Sequence, residues 1–254
     1  MRSLARVPGI LAIPAVLFLG ACATGPASGV NDPYEERNRA VHEANKDLDR
    51  TVLRPIALTY GRTVPEPVRR GVDNFADNLD LPGIVLNDIL QLKLENAVWN
   101  ASRFLFNTTV GLAGIFDPAA SIDLYERDND FAKTLYVWGV PQGAYVAHPL
   151  IGPSTERRTV GGVVDLALNP TRLILSEAEL VSGLNTAAGV AGAVNLRFRF
   201  GDTIDTIFYD STDSYVQARM GYLDARRTAL GIDPADSYVD PYETYGTVGG
   251  GDDR

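Results

Sequence analysis

The segment LPGIVLNDILQLKLENAVWNASRFLFNTTV, residues 81–110, is the most apolar region of the folded part of the chain. Its composition predicts two helical segments joined at a corner. Polar side chains recur at about one-turn spacing on one face, and they are Asn87, Asp88, Gln91 and Glu95. A second polar stripe occupies another face and consists of Asn96, Asn100, Arg103 and Asn107.

The remaining surface of these two helices is largely apolar, and two interpretations stay open. In one, the helices lie in lipid, and the polar stripes must meet water, protein or a lipid head group, because amides and a guanidinium surrounded by hydrocarbon would lack partners. In the other, they form a core hairpin with one solvated face. In the first case, Arg103 would meet a lipid head group, or it would pair with an acid such as Asp88 or Glu95 as a structural brace.

Helices are predicted in most of the remaining chain, so the expected fold class is all-α. Asp32 before Pro33 predicts a capped helix start. Between Gly111 and Ser154 the chain is rich in Gly and Pro, which predicts an ordered, irregular loop region. The helical segments are expected near 32–53, 56–60, 67–78, 130–138, 155–168, 171–180, 184–200 and 213–230.

The amino terminus has the three parts of a secretory signal. Arg2 and Arg6 precede an apolar stretch, which ends in small residues before Cys22. Residues 1–21 are therefore predicted to be a removable signal peptide. Leu19-Gly20-Ala21-Cys22 resembles the lipobox of bacterial lipoproteins, so Cys22, the only cysteine of the chain, is the predicted site of lipidation. An ordinary signal peptide with a leftover cysteine is the alternative.

Charge and composition limit the classes of function. The chain of 254 residues has a formal net charge of −9, and removal of the signal peptide takes away two arginines and no acids. So acidic a chain lacks the basic residues that nucleic-acid binding requires. A helical body is expected over residues 22–230, and the acidic, Gly-rich segment 231–254 is expected to form a flexible tail.

Most catalytic and cofactor motifs are missing from the sequence. It contains no Gly-x-Ser-x-Gly elbow, no His-Glu-x-x-His pair and no phosphate-binding Gly-x-x-x-x-Gly-Lys loop. The two histidines, His42 and His148, are expected at surface or loop positions. Asp128 and Asp130 form an acidic pair that suits acid/base work or cation binding only in principle. We therefore expect no catalytic residue, metal or cofactor.

Ordered, spaced matches over most of the chain resemble the MlaA (VacJ) family of outer-membrane lipoproteins. They include Asp32-Pro33-Tyr34-Glu35, Asn38-Arg39, Asn74-Phe75, Asn87-Asp88, Leu90-Gln91, Arg103-Phe104, Asn107-Thr108-Thr109, Asp117-Pro118-Ala119, Trp138-Gly139-Val140 and Gly152-Pro153-Ser154-Thr155. Four residues depart from the family pattern. Arg158 stands where the family usually has Asp, Ala132 and Tyr136 replace glycines, and Ala144 replaces a proline.

The resemblance implies a ring of amphipathic helices in the inner leaflet of the outer membrane, anchored by lipid on the periplasmic side. It also implies a polar channel, lined here by candidates Asn87, Asp88, Gln91, Asn96, Asn100, Arg103 and Asn107. Misplaced phospholipids would pass through the channel, with a trimeric porin and a soluble periplasmic phospholipid carrier as partners. Two alternatives from other classes are a lipid hydrolase facing the periplasm and a passive scaffold lipoprotein.

Overall fold

The computed structural model describes residues 30–171 and 179–232, and only the backbone of residues 179–185. The predicted signal peptide, the lipidation site Cys22, most of the helix expected near 171–180 and the tail from residue 233 onward lie outside the described residues. The described chain is helical apart from loops and one two-stranded sheet, which confirms the all-α fold class.

The first helical rod consists of α1 (Glu35–Leu48), a π-helical turn (Asp49–Leu53) and α2 (Arg54–Thr63). The short helix expected near residues 56–60 is thus part of a longer one, because Pro55 lies in the first turn of α2, where its missing N–H costs nothing. The predicted cap at Asp32 is wrong. Its carboxylate instead accepts hydrogen bonds from Asn38 at 2.8 Å and Arg219 at 2.6 Å.

The segment quoted at the outset forms the end of α3 (Glu66–Leu90) and all of α4 (Leu94–Thr109). The predicted corner is confirmed between them, with Leu92 at a left-handed φ of 58°. A separate helix ending near residue 78 was expected, but α3 continues through Pro82. An interior proline removes one hydrogen bond, and here packing against α4 maintains the helix.

Residues 110–130 are irregular, as predicted, and lead into α5 (Phe131–Val137), close to the expected helix at 130–138. The Asp130 carboxylate caps α5 by accepting the N–H of Lys133 at 2.7 Å. A hairpin of β1 (Tyr145–His148) and β2 (Gly152–Thr155) follows, which was not predicted from the sequence.

The hairpin is held against α1 by two asparagines. Asn38 donates to the carbonyl of Tyr145 at 3.1 Å and accepts the N–H of Ala147 at 2.9 Å. Asn45 does the same at the hairpin tip, where it donates to the carbonyl of His148 and accepts the N–H of Leu150. Side-chain amides thus complete the backbone hydrogen bonding of β1, which would otherwise be an edge strand.

The remaining helices are α6 (Glu156–Leu168), α7 (Glu179–Arg199), α8 (Gly201–Asp205) and α9 (Ser214–Ala229). Their bounds are close to those predicted for 155–168, 184–200 and 213–230. A buried ion pair ties α7 to the first rod, since Arg197 donates to Asp49 at 2.7 and 2.8 Å. A small apolar core is formed by Tyr145, Ala147, Tyr215, Val216 and Leu223.

The departures from the family pattern fit into this packing. Ala132 is fully buried. A Cβ on Gly161 of α6 would lie only 2.6 Å from the backbone nitrogen of Ala132, so α5 and α6 are in contact at these two residues. Ala144 donates its N–H to Glu156 at 3.1 Å, a bond that a proline could not make. The guanidinium of Arg157 lies 5.0 Å from the ring centre of Tyr136.

Within the described ranges, no helix is both long enough and apolar enough to cross a membrane.

Candidate functional site

Helix α4 carries its polar side inward and its apolar side outward. Its buried residues are Ala97, Asn100, Arg103 and Asn107, whereas Leu94, Val98 and Leu105 are each more than 60% exposed. A soluble hairpin would show the reverse arrangement, with polar residues toward water. The interpretation as a core hairpin with one solvated face is therefore wrong.

The same inversion holds for the described chain as a whole. Buried polar and charged side chains outnumber buried apolar ones among the described residues. Large apolar side chains are exposed on α6, as Val160, Val163 and Leu166 show, and at turn tips such as Leu92 and Ile151. Exposed apolar surface on this scale marks contact with lipid or with another protein.

The polar residues in the C-terminal half of α4 bind the irregular loop that follows the helix. Asn107 donates to Asp117 at 2.9 Å and accepts the N–H of Ala119 at 3.1 Å. Arg103 donates to Asp117 at 2.7 Å and to the carbonyl of Leu124 at 2.6 Å. Arg103 thus acts as a structural brace, but its partner is Asp117 and not Asp88 or Glu95.

The middle of the stripe is equally engaged. Asn100 is fully buried and donates to Asp88 at 2.8 Å. Its side-chain amide also donates to the backbone carbonyl of Arg127 and accepts the backbone N–H of the same residue. Asp88, also fully buried, accepts a second bond from Asn129 at 2.6 Å. The carboxamide oxygen of Asn96 accepts from the Arg127 guanidinium at 2.7 Å. These amides hold the loop against the α3–α4 corner.

The remaining two candidates connect α3 to α5 and α6. Gln91 donates to Asn129 and Thr134, both at 2.8 Å. Asn87 donates to Asp165 at 2.9 Å and accepts from Thr134 at 2.8 Å. Of the seven predicted channel residues, Asn87 borders a cavity between α3, the irregular loop and α6. Arg103 and Asn107 border a small cavity beside it. A channel-lining role for the set remains a prediction.

A cavity of about 350 Å³, which we call the main cavity, lies between α3, the loop and α6. Two other cavities lined by described residues have similar volumes, about 370 and 430 Å³. Its walls carry six acids and one arginine: Asp77, Asp80, Glu126, Asp128, Asp130, Asp165 and Arg158. A second cavity, of about 370 Å³, lies between α3 and α7 and shares Asp77 and Asp80 with the first. Together they form a polar space on one face of α3.

The acids of this space influence one another. Partial desolvation of its carboxyl, together with the nearby charges of Asp77 and Asp128, raises the pKa of Glu126 to about 7, although the residue as a whole is exposed. Burial and the neighbouring Asp73 and Asp80 also raise the pKa of Asp77. These residues were not predicted from the sequence, although Asp73, Asp77 and Asp80 have a helical spacing that indicates a polar face.

Asp128 and Asp130, the two acids singled out in the sequence, make ion pairs with different partners. Asp128 lies 2.7 Å from the Lys133 ammonium, and Asp130 pairs with Arg226 at 2.8 Å. Within residues 30–171 and 179–232, no group of three His, Cys, Asp or Glu side chains could hold a metal ion.

His42 is not at the surface position that was expected of it, whereas His148 is half-buried at the end of a strand rather than in a loop. His42 is buried, packs edge-on against Phe208 and Tyr215, and lies 3.0 Å from the hydroxyl of Ser214. His148 is part of β1 and lies 2.7 Å from the Thr159 hydroxyl. A Ser–His contact is the start of a hydrolase site. Here Ser214 is itself buried and also accepts a hydrogen bond from Lys46, so a substrate has no access to it.

Fold and cavity define a class of α-helical proteins that expose apolar faces around a polar interior. Residues 30–229 match the family model described as MlaA lipoprotein, so the chain belongs to the MlaA family.

The curated relatives include three proteins named intermembrane phospholipid transport system lipoprotein MlaA. Those of Shigella flexneri and Escherichia coli K12 are 31% and 30% identical, and each alignment covers 84% of both chains. That of Haemophilus influenzae is 33% identical over 62% of this chain and 66% of its own. A solved structure reported as "Structural basis for maintenance of bacterial outer membrane lipid asymmetry" has a TM-score of 0.69 and 28% identity, covering 78% of this chain and 98% of that one.

The ion pair between Arg103 and Asp117 makes the free energy of unfolding depend on pH. Although burial opposes it, hydrogen bonds from Arg103 and Asn107 lower the pKa of Asp117 from its ordinary 3.8. A lowered pKa contributes stability that is present above the unfolded-state pKa and is lost as pH falls through the folded-state value. Asp117→Asn should therefore reduce the free energy of unfolding by about 1–3 kcal/mol at pH 7 and by less at pH 3.

Thermal unfolding followed by circular dichroism in detergent at both pH values measures this difference. Asp123→Asn is the matched control, because Asp123 is exposed in the same loop and has a left-handed φ of 59° that asparagine tolerates. An equal loss at pH 3 and pH 7 would show that the Asp117 charge is not what stabilises the loop.

Proposed function

We propose that this chain is an outer-membrane lipoprotein that removes phospholipids misplaced in the outer leaflet and passes them through its polar interior toward the periplasm. The inverted α4 carries the proposal, because a helix that exposes Val98 and Leu105 while burying Asn100 and Arg103 suits a hydrocarbon environment. The names of its relatives concern intermembrane phospholipid transport, which supports the same activity.

The physical task is to move a charged head group past hydrocarbon. An unpaired polar group in an apolar medium costs several kcal/mol, so the passage needs polar walls. The cavities beside α3 supply such walls through Asp77, Asp80 and Asn87. The acyl chains could meanwhile stay near the apolar exterior.

The proposed setting includes partners. The helices would lie in the inner leaflet, anchored through Cys22 on the periplasmic side, against a trimeric porin. A soluble periplasmic protein would accept the lipid. The resemblance to the MlaA family supports both partners, and exposed apolar residues such as Leu92 and Ile151 offer contact surface.

In this proposal no covalent bond is made or broken, in contrast to the hydrolase alternative. The contact that most resembles a nucleophile and its base, Ser214 with His42, is buried. A passive scaffold is the other alternative. It would not require an acidic cavity beside α3 enclosed by helices with apolar exteriors.

Complementation of a strain that lacks the chain tests the function and the anchor together. The wild-type gene should return the amount of outer-leaflet phospholipid to the parental level. This amount is measured with a membrane-impermeant amine reagent or a lipid-specific surface label. Cys22→Ser should leave an unlipidated precursor and fail to complement, because lipid attachment holds the chain at the membrane.

Ser214→Ala distinguishes transport from hydrolysis in the same strain. We expect it to complement as well as the wild type, since the hydroxyl has a structural role alone. Normal asymmetry in the Cys22→Ser strain would contradict the anchor, and failure of Ser214→Ala at normal abundance would favour the hydrolase.

A further inference from the structure

The charges around the main cavity have an arrangement that the proposed transport does not by itself require. Carboxylates come from three elements: Asp77 and Asp80 from α3, Glu126 and Asp128 from the loop, and Asp165 from α6. Of these, Asp128 is paired with Lys133. Such walls produce a negative potential inside a confined space. An anionic head group would therefore be repelled, and a positively charged group would be attracted.

One cation lines the main cavity, and another, Arg103, borders the small cavity beside it and pairs with Asp117. Arg158 lies on α6, and its guanidinium makes a long ion pair of 3.8 Å with Asp165. Its side chain is 38% exposed, so guanidinium N–H groups are available to a ligand. Guanidinium groups recognise phosphate through paired hydrogen bonds. The cavity therefore offers one phosphate-binding group among several carboxylates.

A buried side chain at the edge of the space also lacks a partner. Asn78 is 3% exposed and donates to the Thr108 hydroxyl at 3.0 Å, but its carboxamide oxygen has no hydrogen-bond partner among the described residues. It borders the small cavity that Asp77 and Glu126 also line. An unsatisfied buried acceptor is costly and calls for a donor. The small cavity has a volume of about 10 Å³, so the donor can be no larger than a water molecule or the tip of an ammonium group.

We propose that the cavity prefers phospholipids whose head group carries a positively charged amine over phospholipids with a net anionic head group. The inference rests on the proposed transport function. Arg158 binds the phosphate, and the carboxylates of Asp77 and Glu126 receive the amine. An organic ammonium fits better than a metal ion, because no described group of acids could hold a metal.

The mutual influence of the acids agrees with this preference. Desolvation and neighbouring negative charges raise the pKa values of Asp77 and Glu126. An ammonium placed between them would offset that repulsion and favour their ionised forms. Binding of the amine should therefore be accompanied by loss of a proton from the cavity.

The test uses the purified, lipidated protein in detergent, exposed to an equimolar mixture of palmitoyl-oleoyl phosphatidylethanolamine and phosphatidylglycerol. Bound lipid is identified by native mass spectrometry. We expect the ethanolamine lipid to be enriched about tenfold at low salt, and the enrichment to shrink at high salt because screening weakens the attraction. The salt comparison needs no variant, so it does not depend on how a mutant folds.

Asp77→Asn with Glu126→Gln should reduce the enrichment to about twofold, since two charges disappear with little change in shape. The matched control, Asp123→Asn with Asp224→Asn, removes two exposed charges that do not line the cavity and should keep the enrichment. Equal binding of both lipids by the wild type would overturn the preference and leave transport standing. Absence of any bound phospholipid would overturn transport and preference alike.

Discussion

Asn100→Leu is expected to lower the free energy of unfolding by about 3 kcal/mol or more, although leucine suits a helix that contacts lipid. The reason lies on the inner face of α4. Asn100 is fully buried and satisfies the carboxylate of Asp88 together with the backbone N–H and carbonyl of Arg127. Leucine leaves all three without that partner, and one of them is a buried acid.

Asn96→Leu provides the comparison on the same helix. Asn96 is only partly buried and accepts from the Arg127 side chain, which also reaches Glu95 at 2.8 Å. We expect a loss of about 1 kcal/mol or less. Thermal unfolding in detergent gives the stabilities, and limited proteolysis detects release of the loop at residues 117–130. Equal stability of the two variants would mean that the Asn100 network does not hold the loop.

These contacts bear on any test of the two stripes as a passage. If the stripes lined a passage, leucine at positions 96 and 100 would leave a folded protein and dry that passage. Because Asn100 holds Asp88 and the backbone of Arg127, we expect the double change to damage folding as well, so a loss of function would not identify a channel. A periodic pattern shows which residues share a helical face, but it does not show what that face contacts.

The contacts that decide the matter are distant in sequence. Asp165 is 78 residues from its partner Asn87, and Asn129 is 41 from Asp88. Helices and their corner were predictable because their signals are local. The loop's attachment was not, since asparagine and aspartate in a Gly- and Pro-rich stretch are equally typical of solvated turns.

The missed hairpin has a similar cause. β1 is only four residues long and lies between glycines and prolines, which predict loops. Its backbone hydrogen bonds depend on Asn38 and Asn45, more than 100 residues earlier in the chain. The cavity acids were partly predictable, because α3 places Asp73, Asp77 and Asp80 on one face. Glu126 and Asp128 join them only through the fold.

Gly162→Trp should abolish the maintenance of lipid asymmetry while leaving the protein folded. Gly162 lies on α6 and lines the main cavity, and a Cβ at this position would meet only the end of the Arg158 side chain, at 3.6 Å. The indole ring can therefore occupy the main cavity, of about 350 Å³, without moving the backbone. We expect outer-leaflet phospholipid to rise to the level of the deletion strain.

Gly221→Trp is the matched control, since Gly221 is also a helical glycine and a Cβ there would meet nothing within 4 Å. Both variants gain the same side chain and lose the same backbone freedom, but only one fills the cavity. Immunoblots of outer-membrane fractions establish equal abundance, and circular dichroism establishes equal helicity. If Gly162→Trp complements as well as Gly221→Trp at matched abundance, phospholipid does not pass through this cavity. The route would then have to use the cavity between α3 and α7 or the outer surface of the helices, where the apolar side chains of α4 and α6 face the lipid.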